Sequence, residues 1–421
     1  MKAPFDRIEE YALRGGGRLL VAPTSTKDVV CVEGSFFGGK RMVSAERDVL
    51  PALAASLLDA GTTKQTKEQL RERLAARGIS LEFAAGVDRT EFSARCFPED
   101  LSVVLGTIAE CINSARFPEV ELKVAKAREL GALAEEKTNT RAQANRALAA
   151  KLYVPTHPNF VRTIGAEEAS LRALARRDLV SFQQILGRGG LVLVVAGDVV
   201  PAKVRALAEK SFGALRIGTR APEPFAPNTK KASASETRIH LADKANVDVR
   251  MGASLPVTYT SPEYYAMCVL IEMLGGKSFT SHLMQTIRER DGLTYGVYAG
   301  LAGLEGGVDG YLKIWASFSP ERYTESIEAL RKEVGVFFAS GMTDDVRLKN
   351  IERMRGSYEV GLSTTRGLAS TLHALAAENR PLDYLETYPD MLSGVSQDAL
   401  HAAAALIPLD ALTVAAAGTF R

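Results

Sequence analysis

The alternation of apolar and polar positions along the chain reads as one αβ unit written twice. Residues 18–22 and 29–36 run or alternate apolar and predict two strands. Residues 46–60 carry apolar side chains at helical spacing and stop at Gly61. A second helix over 67–77 stops at Gly78 and leads into a predicted hairpin, 79–85 and 90–97, around Gly86-Val87-Asp88. Pro98 opens a helix to 113, a charged helix spans 120–139, and another runs to Leu152. Two short helices then lead to LVLVVAG at 191–197, an apolar run without alternation that reads as a buried strand, and to a helix ending near Phe212.

Residues 218–236 (GTRAPEPFAPNTKKASASE) have no period and contain three prolines, the composition of a linker and of a protease-sensitive segment. After them the pattern restarts. Strands are predicted at 238–241 and 247–255, and an amphipathic helix at 261–274 with Tyr264, Met267, Cys268, Ile271 and Leu274 on one face. A helix over 280–290 is followed by a hairpin, 294–301 and 307–318. Ser319-Pro320-Glu321 supplies a cap, a first-turn proline and a first-turn acid for the next helix. LTVAAAG at 412–418 answers LVLVVAG. The expected organisation is therefore a first αβ domain at 1–217, a linker at 218–236 and a second αβ domain at 237–421. The fold class is α+β, with two related domains, each a mostly antiparallel sheet carrying helices on one face.

The repeat offers an internal comparison. Residues 67–112 answer 280–334, and laying Gly78 on Gly292 sets Leu74 opposite Arg288 and Leu81 opposite Tyr295. One scaffold position is apolar in the first half and an Arg/Tyr pair in the second. A helix-to-strand turn of this length can aim both side chains into one cleft, which makes Arg288 and Tyr295 the candidate chemistry. Arg-x6-Tyr is also what a surface arginine and an ordinary strand aromatic would give.

Charge and composition narrow the function classes. With 52 basic and 50 acidic residues the net charge is +2, which gives no electrostatic case for nucleic acid or an anionic membrane surface. No apolar run reaches the ~18 residues of a membrane span, and residues 1–20 show no apolar signal core. A cytoplasmic location is expected, or a periplasmic one if a leader precedes this sequence. Cys31, Cys96, Cys111 and Cys268 form no CxxC and read as buried thiols. No two of the five histidines (157, 240, 282, 373 and 401) have ligand spacing on one helix, and no G-x-S-x-G is present.

The duplicated unit, the linker and the text LGGKSFTSHLMQTIRERDGLTYGVY (274–298) resemble the pitrilysin (inverzincin) family of metallopeptidases. The likeness is to its small bacterial members and to the subunits of mitochondrial processing peptidase. LYVPTHPNF (152–160) resembles a first-half segment of the same family. The family's R-x6-Y falls on Arg288 and Tyr295, and His282 stands where members often have Arg. The resemblance implies a substrate-binding and catalytic role for Arg288 and Tyr295, and His282, two turns before Arg288, is a candidate to line the same cleft. The family's zinc motif, H-x-x-E-H shortly before a Gly-Thr, falls on Ala52, Ala55 and Ser56 ahead of Gly61-Thr62, so all three functional side chains are missing. Glu129, Glu135 and Glu136 follow on the charged helix, but a lone carboxylate is no zinc site. The resemblance therefore implies no cofactor in this chain and zinc in a homologous partner that carries H-x-x-E-H. The two would form a heterodimeric peptidase acting on peptides, with this chain inactive alone. The alternative is an inert binding or assembly protein with the same fold.

Overall fold

The computed structural model describes residues 7–14, 16–219, 221–228, 230, 233–276 and 278–420. Among the described residues eleven strands form two mixed sheets. In the first, β1 (Glu9–Ala12), β2 (Arg18–Pro23), β3 (Val30–Phe37), β4 (Ser80–Ala85), β5 (Arg89–Cys96) and β6 (Val192–Gly197) lie in the order β1-β2-β6-β3-β5-β4. In the second, β7 (Ser235–His240), β8 (Val247–Ser254), β9 (Val297–Ala302), β10 (Tyr311–Phe318) and β11 (Thr413–Gly418) lie in the order β7-β11-β8-β10-β9. Each sheet has one parallel pair, β2 with β6 and β7 with β11, and is otherwise antiparallel. The fold is α+β.

The pairing registers of the strands repeat. Arg18 pairs with Val192 as Ser235 pairs with Thr413, and Val30 pairs with Cys96 as Val247 pairs with Phe318. Arg18 and Ser235, like Val30 and Val247, are 217 positions apart. β1 is an added edge strand that the apolar pattern does not announce, since none of its residues is buried.

β6 and β11 are buried at every position. A strand with both faces buried needs a layer on each side, and here the helices-on-one-face expectation fails. On one face of the first sheet, the helices Leu101–Ser114 and Pro201–Phe212 pack against β5 and β2. The other face is covered by Thr365–Ala377, whose Leu368, Leu372 and Leu375 lie against Leu20, Val192 and Val194. In the second sheet the corresponding helix is Thr140–Leu152, which lies on β8 and β11 with Leu148 and Leu152 beside Ala415. Tyr264–Gly275 and Gln397–Ala405 belong to the core on its opposite side.

Each covering helix comes from the other half of the sequence. The first compact unit comprises residues up to Leu130 with 165–224 and 357–387, and the second comprises 131–164, 225–356 and 388–421. The contiguous halves expected at 1–217 and 237–421 are thus not the units of packing. Part of the expected linker is also tied down within the second unit. Phe225 meets the His157 ring edge-on at 4.8 Å, and the Asn228 N–H donates to Asp309 Oδ1 at 3.1 Å.

The covering helix of the first unit seals a buried polar group. Arg89 Nε donates to Ser35 Oγ at 2.6 Å, so the Ser35 hydroxyl proton is free to point at His373 Nε2, 2.8 Å away. Burial, with Arg89 adding to it, pushes the His373 pKa down to about 4. An unfolded histidine takes up its proton near 6.5, so between these values the unfolded state binds more protons. The neutral imidazole contributes full stability above pH 6.5, and that contribution drains away as the pH falls toward 4. At about 1.4 kcal/mol per unit the loss is about 3 kcal/mol. Urea unfolding of wild type and His373→Gln from pH 7 to 4 should show the wild type losing about that much relative to the variant. Parallel pH profiles would mean that His373 is not held neutral.

Candidate functional site

The first-half motif position is filled without metal ligands. Leu50–Ala55 is a helix of six residues in which Ala55 is buried, and Ser56 Oγ is spent on the Leu53 carbonyl at 3.0 Å. Gly61 turns the chain at φ +109°, and the Thr62 hydroxyl is bonded to Glu110. Two of the downstream carboxylates are paired, Glu129 with Arg128 at 2.9 Å and Glu136 with Arg146 at 2.7 Å. Among the described residues no three His, Cys, Asp or Glu side chains cluster as a metal site would require. Ala52, Ala55 and Ser56 do not fit zinc.

Arg288 and Tyr295 lie in the second unit on a helix-to-strand turn that differs from its first-half counterpart. Both turns end on glycine in the left-handed region, Gly78 at φ +63° and Gly292 at φ +59°, with nothing near where a Cβ would stand. In the first half the Ile79 N–H returns to the Leu74 carbonyl, five residues back, after the regular helix Lys67–Ala75. In the second half the Leu293 N–H returns to the Ile287 carbonyl, six residues back, because Met284–Arg290 is a π-helix. One residue has been added inside the turn. The buried Leu74 therefore answers the buried Ile287, and Arg288 is extra.

The strand register moves Tyr295 as well. Leu81 pairs with Ala94 on β5, and the equivalent pair on β10 is Val297 with Ala316. Leu81 lies three residues after Gly78, whereas Val297 lies five after Gly292. The predicted strand start at 294 gives way to irregular chain as far as Gly296, and Tyr295 has no first-half counterpart. Setting Leu74 against Arg288 and Leu81 against Tyr295 was thus a misalignment, by one residue and by two. Glycine-anchored comparison of sequence cannot see an added residue that the backbone absorbs as a wider turn.

The Tyr295 ring is 96% exposed and its hydroxyl has no hydrogen-bond partner among the described residues. The Arg288 guanidinium lies over the exposed Phe279 ring at 4.8 Å, with Nε 3.5 Å from Glu289. Sequence reading passed over Phe279, an unalternated aromatic in a polar loop. The second unit by itself gives Tyr295 no enclosing wall, in contrast to the expected cleft. His282 goes elsewhere: Nε2 lies 3.1 Å from both the Glu333 carbonyl oxygen and Glu333 Oε2, two acceptors, so it carries the proton. Burial pulls the His282 pKa below its ordinary value, against the opposing pull of Glu333. The buried Glu333 also accepts from Arg290 at 2.9 Å, so the acid that fixes this helix is one the sequence did not single out.

Two α+β units share one strand order apart from the added edge strand β1 of the first, and the second carries an enlarged helix-to-strand turn with Arg288 and Tyr295. Comparison with known proteins agrees. The peptidase M16 inactive domain model matches residues 180–351. An uncharacterized zinc protease of Streptomyces coelicolor is 25% identical over 388 residues, 87% of this chain and 79% of that one. The non-peptidase homolog YmxG of Helicobacter pylori is 23% identical over 86% of this chain and 82% of its own. Among solved structures, the peptidase M16 inactive domain from Pseudomonas fluorescens matches with a TM-score of 0.89 at 20% identity, covering 98% of both chains. A protease from Helicobacter pylori matches with a TM-score of 0.86 at 16% identity, covering 98% of this chain and 99% of that one. The chain is similar to small bacterial members of the M16, or pitrilysin, peptidase family. Among the described residues no helix is long and apolar enough to cross a membrane.

The turn geometry separates function from stability. Tyr295→Ala, at an exposed ring, should change unfolding free energy by less than about 0.5 kcal/mol. Glu333→Ala, which strips the acceptor from His282 and Arg290, should cost about 1–3 kcal/mol. Urea midpoints at unchanged m-value measure both, and an equal cost for the two would contradict the exposed placement of Tyr295.

Proposed function

We propose that this chain is the non-zinc-binding subunit of a heterodimeric zinc peptidase and supplies Arg288 and Tyr295 to a site completed by a homologous partner. The observation that carries this reading is that the second-half turn holds added residues which hold up no core. A tyrosine in solvent with a free hydroxyl, and an arginine over an exposed aromatic, gain nothing for this chain's stability. They gain a role when another surface closes over them. The partner, with H-x-x-E-H, would bring the metal and a water-activating carboxylate. Tyr295 Oη would donate to the carbonyl oxygen of the scissile peptide as negative charge builds there. Arg288 would hold a neighbouring peptide carbonyl with its planar fork. Losing one preorganised donor of the Tyr295 kind costs about 10²–10³ in rate.

A second reading is an inert binding or assembly protein. It is favoured by the loss of ligands at Ala52, Ala55 and Ser56, and by a relative named as a non-peptidase homolog. The two readings part on the Arg/Tyr turn.

Purified alone, the chain should hold no stoichiometric zinc; elemental analysis finding about one zinc per chain, lost on histidine substitution, would reverse the assignment. In a complex reconstituted with an H-x-x-E-H-bearing homologue, Tyr295→Phe should lower kcat far more than it raises KM, because only the O–H is removed. Arg288→Lys should act more on KM, since an ammonium cannot reproduce the guanidinium fork. Steady-state cleavage of a quenched fluorescent peptide reads both, with dimer mass checked. Wild-type rates for the two variants would leave the assembly reading standing.

A further inference from the structure

The two units also differ where the covering helix begins. In the second unit that place is full. Trp315 of β10 stacks on Tyr298 of β9 at 5.6 Å and 4°, and Arg141, second residue of the covering helix, lies over the indole at 4.0 Å. Trp315 Nε1 donates to Asp248 Oδ1 at 2.6 Å. The registers carry each position into the first unit. Ser93 stands where Trp315 stands, Glu82 where Tyr298 stands, Cys31 where Asp248 stands and Glu33 where Arg250 stands. Arg366, second residue of Thr365–Ala377, matches Arg141. With two aromatics replaced by Ser93 and Glu82, the first unit keeps a cleft of about 480 Å³ at this place.

The cleft is lined by unspent charge of both signs. Pairing of β3, β5 and β4 lays out two rows across the sheet, Cys31–Arg95–Ser80 and Glu33–Ser93–Glu82. Among the described residues neither Arg95 nor Arg366 has a carboxylate within ion-pair distance, and Glu82 has no cation. Arg366 also sits in the first turn of a helix that has no acid there, where a positive side chain opposes the helix dipole unless an anion joins it. Among the described residues the one side-chain hydrogen bond to the Glu33 carboxylate is long, 3.4 Å from the Ser370 hydroxyl. Burial raises the Glu33 pKa to about 7, with Arg366 and Ser370 pulling the other way, so an incoming cation would ionise it. The two rows are two residues apart along each strand, about 7 Å, and two residues of extended peptide span about the same length.

We infer that this cleft is a binding site for a dipeptide with free termini, its carboxylate held by Arg95 and Arg366 and its ammonium by Glu33 and Glu82. The site lies wholly within the first unit and stands apart from the Arg288/Tyr295 reading. No covalent step is involved. At neutral pH the ammonium converts a half-protonated Glu33 to carboxylate and releases part of a proton.

Isothermal titration calorimetry of the purified chain with L-Ala-L-Ala tests this. Binding should weaken at least about tenfold when the peptide is N-acetylated, and again when its carboxylate is amidated, a loss in proportion to one charge-assisted contact each. In buffers of different ionisation enthalpy at pH 7 the titration should show proton release, and Glu33→Gln should abolish it. Arg366→Gln, at an exposed position, should weaken binding about tenfold or more while the melting temperature holds. Ser93→Trp, which copies the filled unit, should block binding. Tyr295→Phe and Arg288→Lys should bind as wild type does. No heat with Ala-Ala to 10 mM (roughly the weak limit for a small ligand), equal affinity for the capped peptide, or acetate binding as tightly as the dipeptide would each overturn the proposal.

Discussion

Everything in this fold follows from two strands that can turn neither face to water. β6 and β11 are interior strands of their sheets, and every residue of both is buried. Full burial of one Val or Leu side chain is worth about 1.5–3 kcal/mol, so leaving either face of LVLVV, two or three such side chains, open would forfeit a large share of the roughly 5–15 kcal/mol by which a domain is stable. Each sheet therefore needs a second helical layer, and the chain provides it by crossing: Thr140–Leu152 lies on β8 and β11, and Thr365–Ala377 on β2, β3 and β6. Neither sequence half can complete its core alone. The crossing also makes the decisive contacts remote in sequence, which places loop closure before core formation and slows folding.

The strand runs, the hairpins and the repeat were legible because their signals are local. Period-two alternation, a left-handed glycine after a helix and an apolar run without alternation all report on neighbours a few residues away. The destinations of the crossing helices were not legible. Leu368, Leu372 and Leu375 announce that one stripe of Thr365–Ala377 is buried, but a stripe of leucines fits any apolar face. The unalternated text of β6 and β11 did carry the missing information, since a strand apolar on both sides demands covering on both sides.

The candidate site was legible in its residues and not in its geometry. Arg288 and Tyr295 stand out as polar and aromatic text against an apolar counterpart, yet the counterpart itself was misplaced. A π-turn adds a residue without any breaker in the sequence, because the helix widens and the buried Ile287 keeps the place that Leu74 holds in the first half. Only the capping hydrogen bonds and the β9–β10 register show where the additions fall. His282 was misjudged for a related reason: its position on the helix was known, but its partner Glu333 lies on another helix, 51 residues away, and no periodicity links them.

The additions and the vacancies fall on opposite units. The second unit gained residues at its helix-to-strand turn and filled the mouth of its covering helix with Trp315, Tyr298 and Arg141. The first has the short turn and an open mouth over Glu33 and Arg95. A duplicated scaffold tolerates this because the register of five strands and one covering helix fixes each backbone, and none of the altered side chains belongs to that frame. Trp315 and Ser93 occupy the same lattice point on the same sheet face, and so do Tyr298 and Glu82. What separates a closed mouth from an open one is therefore side-chain volume at fixed backbone, and substitutions at those points probe binding with the strand pairing left as it is.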